Sequence, residues 1–200
     1  MYGCEHYARS CKLRHPITGQ LFTCRLCCEE KREANNYDDG MLPVLDRYDV
    51  SEVLCMRCSA LQPSGSKCIN PNCESKGASF AKYFCNICNL QDDAENKNIF
   101  HCPYCNVCRK GKGLGIDFHH CMRCNACIAV SEYDSHVCIS QRLQGECPIC
   151  QEAMFESTEP LRGMSCGHVM HLSCFKQYIA RGSRGAIACP ICKKVADYRG

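Results

Sequence analysis

The chain has 200 residues, a formal net charge of +3 and a pI near 8.0, with 24 cysteines and no tryptophan. So mild a charge argues for neither nucleic acid nor an anionic lipid surface as partner. Cysteine above roughly 8–10% marks a chain scaffolded by its sulfurs, so small modules are expected in place of one large apolar core.

The cysteines also indicate a compartment. The N-terminal "MYGCEHYARS" lacks the apolar stretch of a secretory leader, and no run is long enough to span a bilayer. Nine Cys-x-x-Cys pairs occur, several overlapping and mixed with His at ligand spacing. Zinc sites use His and disulfide frameworks do not, so zinc in a reducing cytoplasm or nucleus is the expectation.

In chain order, a first ligand cluster runs from Cys4 to Cys73, interrupted by a cysteine-free stretch over 29–54. That stretch predicts a short polar helix, a turn and an apolar return. A second cluster runs from Cys85 to Cys138 and a third from Cys147 to Cys192, with short polar junctions at "ESKGASFAKY" and "ISQRLQGE". Module boundaries at 1–79, 80–142 and 143–196 follow. The amphipathic helix that stands out is Leu172 to Ala180, with Leu172, Phe175, Tyr178 and Ile179 near helical spacing and Gly182 placed to end it. Elsewhere small zinc-stabilised modules with little regular secondary structure and short β-hairpins are predicted.

The second cluster poses a register problem. "HCPYCNVC" and "HCMRCNAC" repeat one ligand pattern, and the whole set is Cys85, Cys88, His101, Cys102, Cys105, Cys108, His120, Cys121, Cys124, Cys127, His136 and Cys138. Twelve ligands make three tetrahedral sites. Adjacent residues of an extended chain project to opposite sides, so His101 and Cys102 should serve different metals, as should His120 and Cys121. The expected solution groups Cys85 and Cys88 with Cys102 and Cys105, His101 and Cys108 with Cys121 and Cys124, and His120 and Cys127 with His136 and Cys138. His119 is read as a surface or packing residue.

The third cluster reads Cys147-x2-Cys150-x15-Cys166-x-His168-x2-His171-x2-Cys174-x14-Cys189-x2-Cys192. This order resembles a RING-H2 finger. The resemblance implies a cross-brace, with Cys147, Cys150, His171 and Cys174 on one zinc and Cys166, His168, Cys189 and Cys192 on the other. It also implies a groove for a ubiquitin-conjugating enzyme built from Ile149, Phe175, Pro190 and Ile191, with Lys193 near ubiquitin. Each of these residues could instead be local core or a solvated side chain. Such a RING positions a charged conjugating enzyme and forms no covalent intermediate.

The middle cluster resembles the CTCHY-type finger, and "YGCEHYARSCKLR", "LFTCRLCC" and "LCMRC" resemble the CHY-type finger. The tandem is similar to the RING-and-CHY zinc-finger ubiquitin ligases and to the C-terminal half of the BRUTUS-like iron-response ligases. It implies a RING-type E3 ubiquitin transferase acting on protein substrates, often transcriptional regulators, recruited by the front fingers. One zinc site of the CHY family is altered here: Ile17 and Thr18 replace an adjacent Cys-Cys pair, and Cys28 replaces a His. Cys4, His6, Cys24, Cys27, Cys55, Cys58, Cys68 and Cys73 still support two zincs, for about seven in all at four ligands each. Cys11, His15 and Cys28 are left over, as an eighth site completed by an Asp or water or as free thiols and a histidine. A non-catalytic zinc scaffold is the alternative reading. A nucleic-acid binder would need more clustered basic residues than "CRKGKG", and a thiol oxidoreductase would need a βαβ pattern around a Cys-x-x-Cys.

Overall fold

The computed structural model describes residues 2–181 and 186–197; Gly182, the expected helix stop, lies outside them. Two compact units are present, one formed by residues 1–101 with 107–110 and the other by 102–106 with 111–200.

The first unit begins with β1 (Cys11–Arg14), β2 (Leu21–Phe22), α1 (Arg25–Ala34), β3 (Glu52–Cys55) and β4 (Leu61–Pro63). Its four strands form one antiparallel sheet in the order β2-β1-β3-β4. Strand alternation decides what the sheet buries. Cys11 and Leu13 point inward from β1 and Val53 and Cys55 from β3, with Cys11 opposite Cys55. The apolar return of the cysteine-free stretch closes this core with Leu42, Leu45 and Val50, and Phe80 fills its end. The helix expected in that stretch starts earlier, at Arg25. Cys24 is its N-cap, extended in backbone and accepting the Cys27 N–H on its sulfur, so the cysteine motif itself launches the helix. Two short hairpin arms follow: β5 (Tyr83–Cys85) pairs with β6 (Leu90–Asp92), and β7 (Ile99–Cys102) pairs with β8 (Val107–Lys110).

The second unit contains β9 (Phe118–Cys121), β10 (Ala126–Ala129), the four-residue α2 (Val130–Tyr133), β11 (Leu161–Gly163), β12 (Val169–His171), α3 (Leu172–Arg181), β13 (Ala186–Ala188) and β14 (Val195–Asp197). Pairs β9–β10, β11–β12 and β13–β14 are antiparallel hairpins or ribbons. The predicted helix over Leu172 to Ala180 is α3, and its first turn receives a remote cap: Glu159 accepts the Ser173 N–H at 2.7 Å. Met154, Met164, Met170 and Phe175 form a core continuous with Ile128 and Leu143.

Candidate metal centres

Each cluster of the middle ladder begins with a knuckle. In Cys85-x-x-Cys88, Cys102-x-x-Cys105 and Cys121-x-x-Cys124, the second cysteine's N–H points back to the first cysteine's sulfur at 3.4–3.5 Å. The chain then reverses through a left-handed residue: Asn89, Asn106 and Asn125 have φ of 46°, 53° and 49°. Ser59, Gln151 and Lys193 take the same conformation after Cys58, Cys150 and Cys192. Asn enters that region more readily than other residues with a Cβ, so "CNICN", "CPYCN" and "CMRCN" spell the turn directly.

The ladder differs from the expected pairing. Its groups are Cys85, Cys88, His101 and Cys108; Cys102, Cys105, His120 and Cys127; and Cys121, Cys124, His136 and Cys138. Expected sharing of one site by two knuckles, Cys85/Cys88 with Cys102/Cys105, is therefore corrected, and the other two groupings fall with it. His101 and Cys102 do serve different groups, as do His120 and Cys121. The missed element is the cross-strand pair. His120 and Cys127 lie directly opposite each other on β9 and β10, so one hairpin face delivers both to the preceding knuckle. Cys121, the next residue along β9, faces the other way and starts its own site. The signal was present in the sequence as equal seven-residue steps from His101 to Cys108 and from His120 to Cys127.

In the first unit the structure brings together Cys4, His6, Cys24 and Cys27, and separately Cys55, Cys58, Cys68 and Cys73. In the RING segment, His171 Nδ1 lies 3.3 Å from Cys150 Sγ, and Cys147, Cys150 and Cys174 are mutual neighbours. His168 Nδ1 lies 3.4 Å from Cys166 Sγ and 3.7 Å from Cys189 Sγ, with Cys192 beside both thiols. The chain thus alternates between two clusters, as the cross-brace requires.

These donor sets fit zinc. A tetrahedron with Zn–S near 2.3 Å and Zn–N near 2.0–2.1 Å has S···S edges of about 3.8 Å and S···N edges of about 3.6 Å. Observed S···S separations are 3.7 Å for Cys4–Cys24, Cys58–Cys68, Cys105–Cys127 and Cys121–Cys138. His120 Nδ1 lies 3.4 and 3.6 Å from Cys105 and Cys102. The protonation balance also calls for a cation. The hydrogen bond with Cys108 pulls the Cys88 thiol down to about 5, while that same bond and burial push Cys108 up. Closely spaced buried thiols cannot all ionise without a compensating charge, and a dication supplies it.

Outer partners orient the ligands. His6 turns Nδ1 to Cys24 and Cys27 and Nε2 to Glu30 Oε1 at 3.0 Å. His136 uses Nε2 toward Cys138, at 3.1 Å, and its Nδ1 meets the Tyr133 carbonyl. Asn70 donates to Cys58 at 3.4 Å, and the Tyr83 hydroxyl sits 3.3 Å from Cys108.

The leftover residues do not fit a metal. His15 Nδ1 accepts the Ile17 and Thr18 N–H groups at 3.2 and 3.4 Å, and Nε2 donates to the Pro43 carbonyl at 3.0 Å. Both ring nitrogens are used by backbone. Cys11 is buried, meets Gln91 Oε1, and burial pushes its thiol up to about 11. Cys28 is buried in the same core. His119 is exposed and rests against Tyr133.

Of the expected docking residues, Ile191 is 48% exposed and Ile149 is half-buried against the core. Phe175 is a core residue, 7% exposed, and does not join them at the surface. Lys193 is exposed and donates to the Pro190 carbonyl at 2.9 Å, closing the second knuckle.

Two family patterns match the chain: a CHY zinc finger over residues 4–83 and a Ring finger domain over 145–193. Zinc finger protein BRUTUS of Arabidopsis thaliana is 45% identical over 194 residues, which cover 97% of this chain and 14% of that protein. A BRUTUS-like protein of that plant, At1g74770, is 43% identical with equal coverage, so the chain spans about one seventh of these relatives. E3 ubiquitin-protein ligase SRFP1 of Oryza sativa subsp. japonica is 37% identical over 192 residues, 96% of this chain and 67% of that protein. With both zinc-finger patterns in place and an alignment running through the middle ladder as well, the chain belongs to the RING-and-CHY zinc-finger ubiquitin ligase family.

Proposed function

We propose that the chain is a RING-type E3 ubiquitin ligase module that docks a ubiquitin-charged conjugating enzyme and promotes transfer to substrate lysines. The observation that carries this reading is the pair of CPIC knuckles, which bring Ile149 and the exposed Ile191, with Pro190, beside two alternating metal clusters. An apolar rim on a rigid metal scaffold suits a protein partner. SRFP1 of Oryza sativa subsp. japonica, 37% identical, and RZFP34 of Arabidopsis thaliana, 36% identical, are named E3 ubiquitin-protein ligases, which supports it.

In this reading the ligase forms no covalent intermediate. All eight Cys and His residues of the RING segment are assigned to its two zincs, leaving no thiol there as a nucleophile, and catalysis rests on holding the charged enzyme in a reactive arrangement. Seven zincs of four ligands each would hold the CHY segment (1–79), the ladder (80–142) and the RING segment (143–196). The first two segments would recruit the protein substrate, a transcriptional regulator among the candidates, in a reducing cytoplasm or nucleus where thiolate sites persist. The non-catalytic scaffold is the competing reading.

The test is autoubiquitination with activating enzyme, ATP and a panel of conjugating enzymes, comparing wild type with Ile149→Ala. Ladders reduced at least tenfold in the variant at unchanged zinc content are expected. Fully zinc-loaded wild type that makes no ladder with any conjugating enzyme would move the scaffold reading to the front.

A further inference from the structure

The RING segment does not have a core to itself. Its buried Leu143, Met154, Met164 and Phe175 are continuous with Ile128, which precedes it, and Cys138 packs on the same cluster. Two metal-ligand loops come into close contact. Val137 sits between ligands His136 and Cys138, and Gly167 sits between ligands Cys166 and His168. Gly167 is buried with φ +90°, and a Cβ there would lie 2.6 Å from the Val137 carbonyl oxygen and 3.1 Å from Val137 Cβ and Ile139 Cδ1. The two backbones touch at the residue that links each pair of ligands.

The Gly167 side of this contact is rigid. Its N–H donates to the Met164 carbonyl at 2.8 Å, and the Met164 N–H donates to the His168 carbonyl at 2.7 Å. The other side is a short chain with little structure of its own. Residues 134–139 follow a four-residue helix, and their fixed points are His136 and Cys138. Metal at the Cys121/Cys124/His136/Cys138 site is therefore what can press this segment onto Gly167.

We propose that this last ladder site is a positioning element of the RING: its metal holds residues 136–139 against Gly167 and thereby sets ligands Cys166 and His168. Its consequence for conjugating-enzyme docking rests on the ligase reading, but the coupling itself does not. Loss of metal at the ladder site frees Val137 and Ile139, uncovers Gly167 and loosens the second RING site, so the two sites lose zinc together.

The experiment uses the full chain. Zinc content and amide hydrogen exchange across 164–171 are measured for wild type, His136→Ala and His101→Ala. His136→Ala is expected to lose about two zincs and to raise exchange across 164–171 about tenfold or more, taking the roughly 10–100-fold loss of metal affinity on removing a ligand's outer partner as the scale of loosening. His101→Ala, in the first ladder site, should lose one zinc and leave that exchange unchanged. Loss of a single zinc from His136→Ala, with exchange across 164–171 unchanged, would overturn the proposal. Ile139→Ala leaves every ligand in place and guards against a His136 variant that does not fold. It should keep its full zinc content and still raise exchange at 164–168 several-fold, and wild-type exchange there would equally overturn the coupling. A wild type that discharges no conjugating enzyme would sink only the ligase reading, because zinc count and exchange do not depend on it.

Discussion

His6 and His15 show how one residue type is sorted by its second nitrogen. His6 spends Nε2 on Glu30, which leaves Nδ1 for the thiol cluster. His15 spends both nitrogens on backbone and so has no lone pair to give. Glu30 makes a further difference: its carboxylate, 3.0 Å away, fixes the tautomer and orientation of the imidazole. Glu30→Gln should weaken zinc at the Cys4/His6/Cys24/Cys27 site by about 10–100-fold, measured by competition with a chromophoric chelator, while the other sites keep their affinity. A uniform loss across all sites would mean that Glu30 acts through folding. His15→Ala, by contrast, should leave the zinc count of the chain at its wild-type value.

At the scale of elements, the repeating part is a knuckle followed by a hairpin. The knuckle gives two sulfurs from one turn, closed by N–H to sulfur contacts and a left-handed Asn. The next hairpin gives a His and a Cys from opposite strands on one face. A double-substitution count tests the register. Cys85→Ser with Cys108→Ser should cost one zinc, because both ligands serve the same ion, whereas Cys85→Ser with Cys105→Ser should cost two. The reverse result would restore the grouping of Cys85 and Cys88 with Cys102 and Cys105. At the helix of the first unit the same logic holds: Cys24 is ligand and N-cap at once, so metal binding and helix initiation are one event.

For the whole molecule, the balance between apolar core and metal decides stability. The first unit has a genuine core around Leu42, Leu45, Val53 and Phe80 under a four-stranded sheet. In the second unit the core includes Cys121, Cys124, Cys147, Cys174 and Cys189, so ligand residues are themselves much of what is packed. Binding and folding free energy are inseparable in such a unit. Chelation should therefore abolish hydrogen-exchange protection throughout residues 111–181 while partial protection survives on β1 and β3. Protection lost equally from both units would show that the sheet core cannot stand without metal.

The sequence by itself determined the ligand chemistry and the order of the modules. Cys and His at short fixed spacings have few physical uses, and the eight-ligand order of the third segment, through its resemblance to a RING-H2 finger, implies two alternating clusters. It also foretold α3, because Leu172, Phe175 and Ile179 share one helical face. The grouping of ladder ligands was decided only by tertiary structure. Alternation along a strand separates neighbours such as His101 and Cys102, but which ligand meets which knuckle depends on strand pairing, a non-local choice. The fates of Cys11, His15 and Phe175 were decided in the same way: each could serve a site by residue type, and each was taken by hydrogen bonding or packing that arises only once distant segments meet.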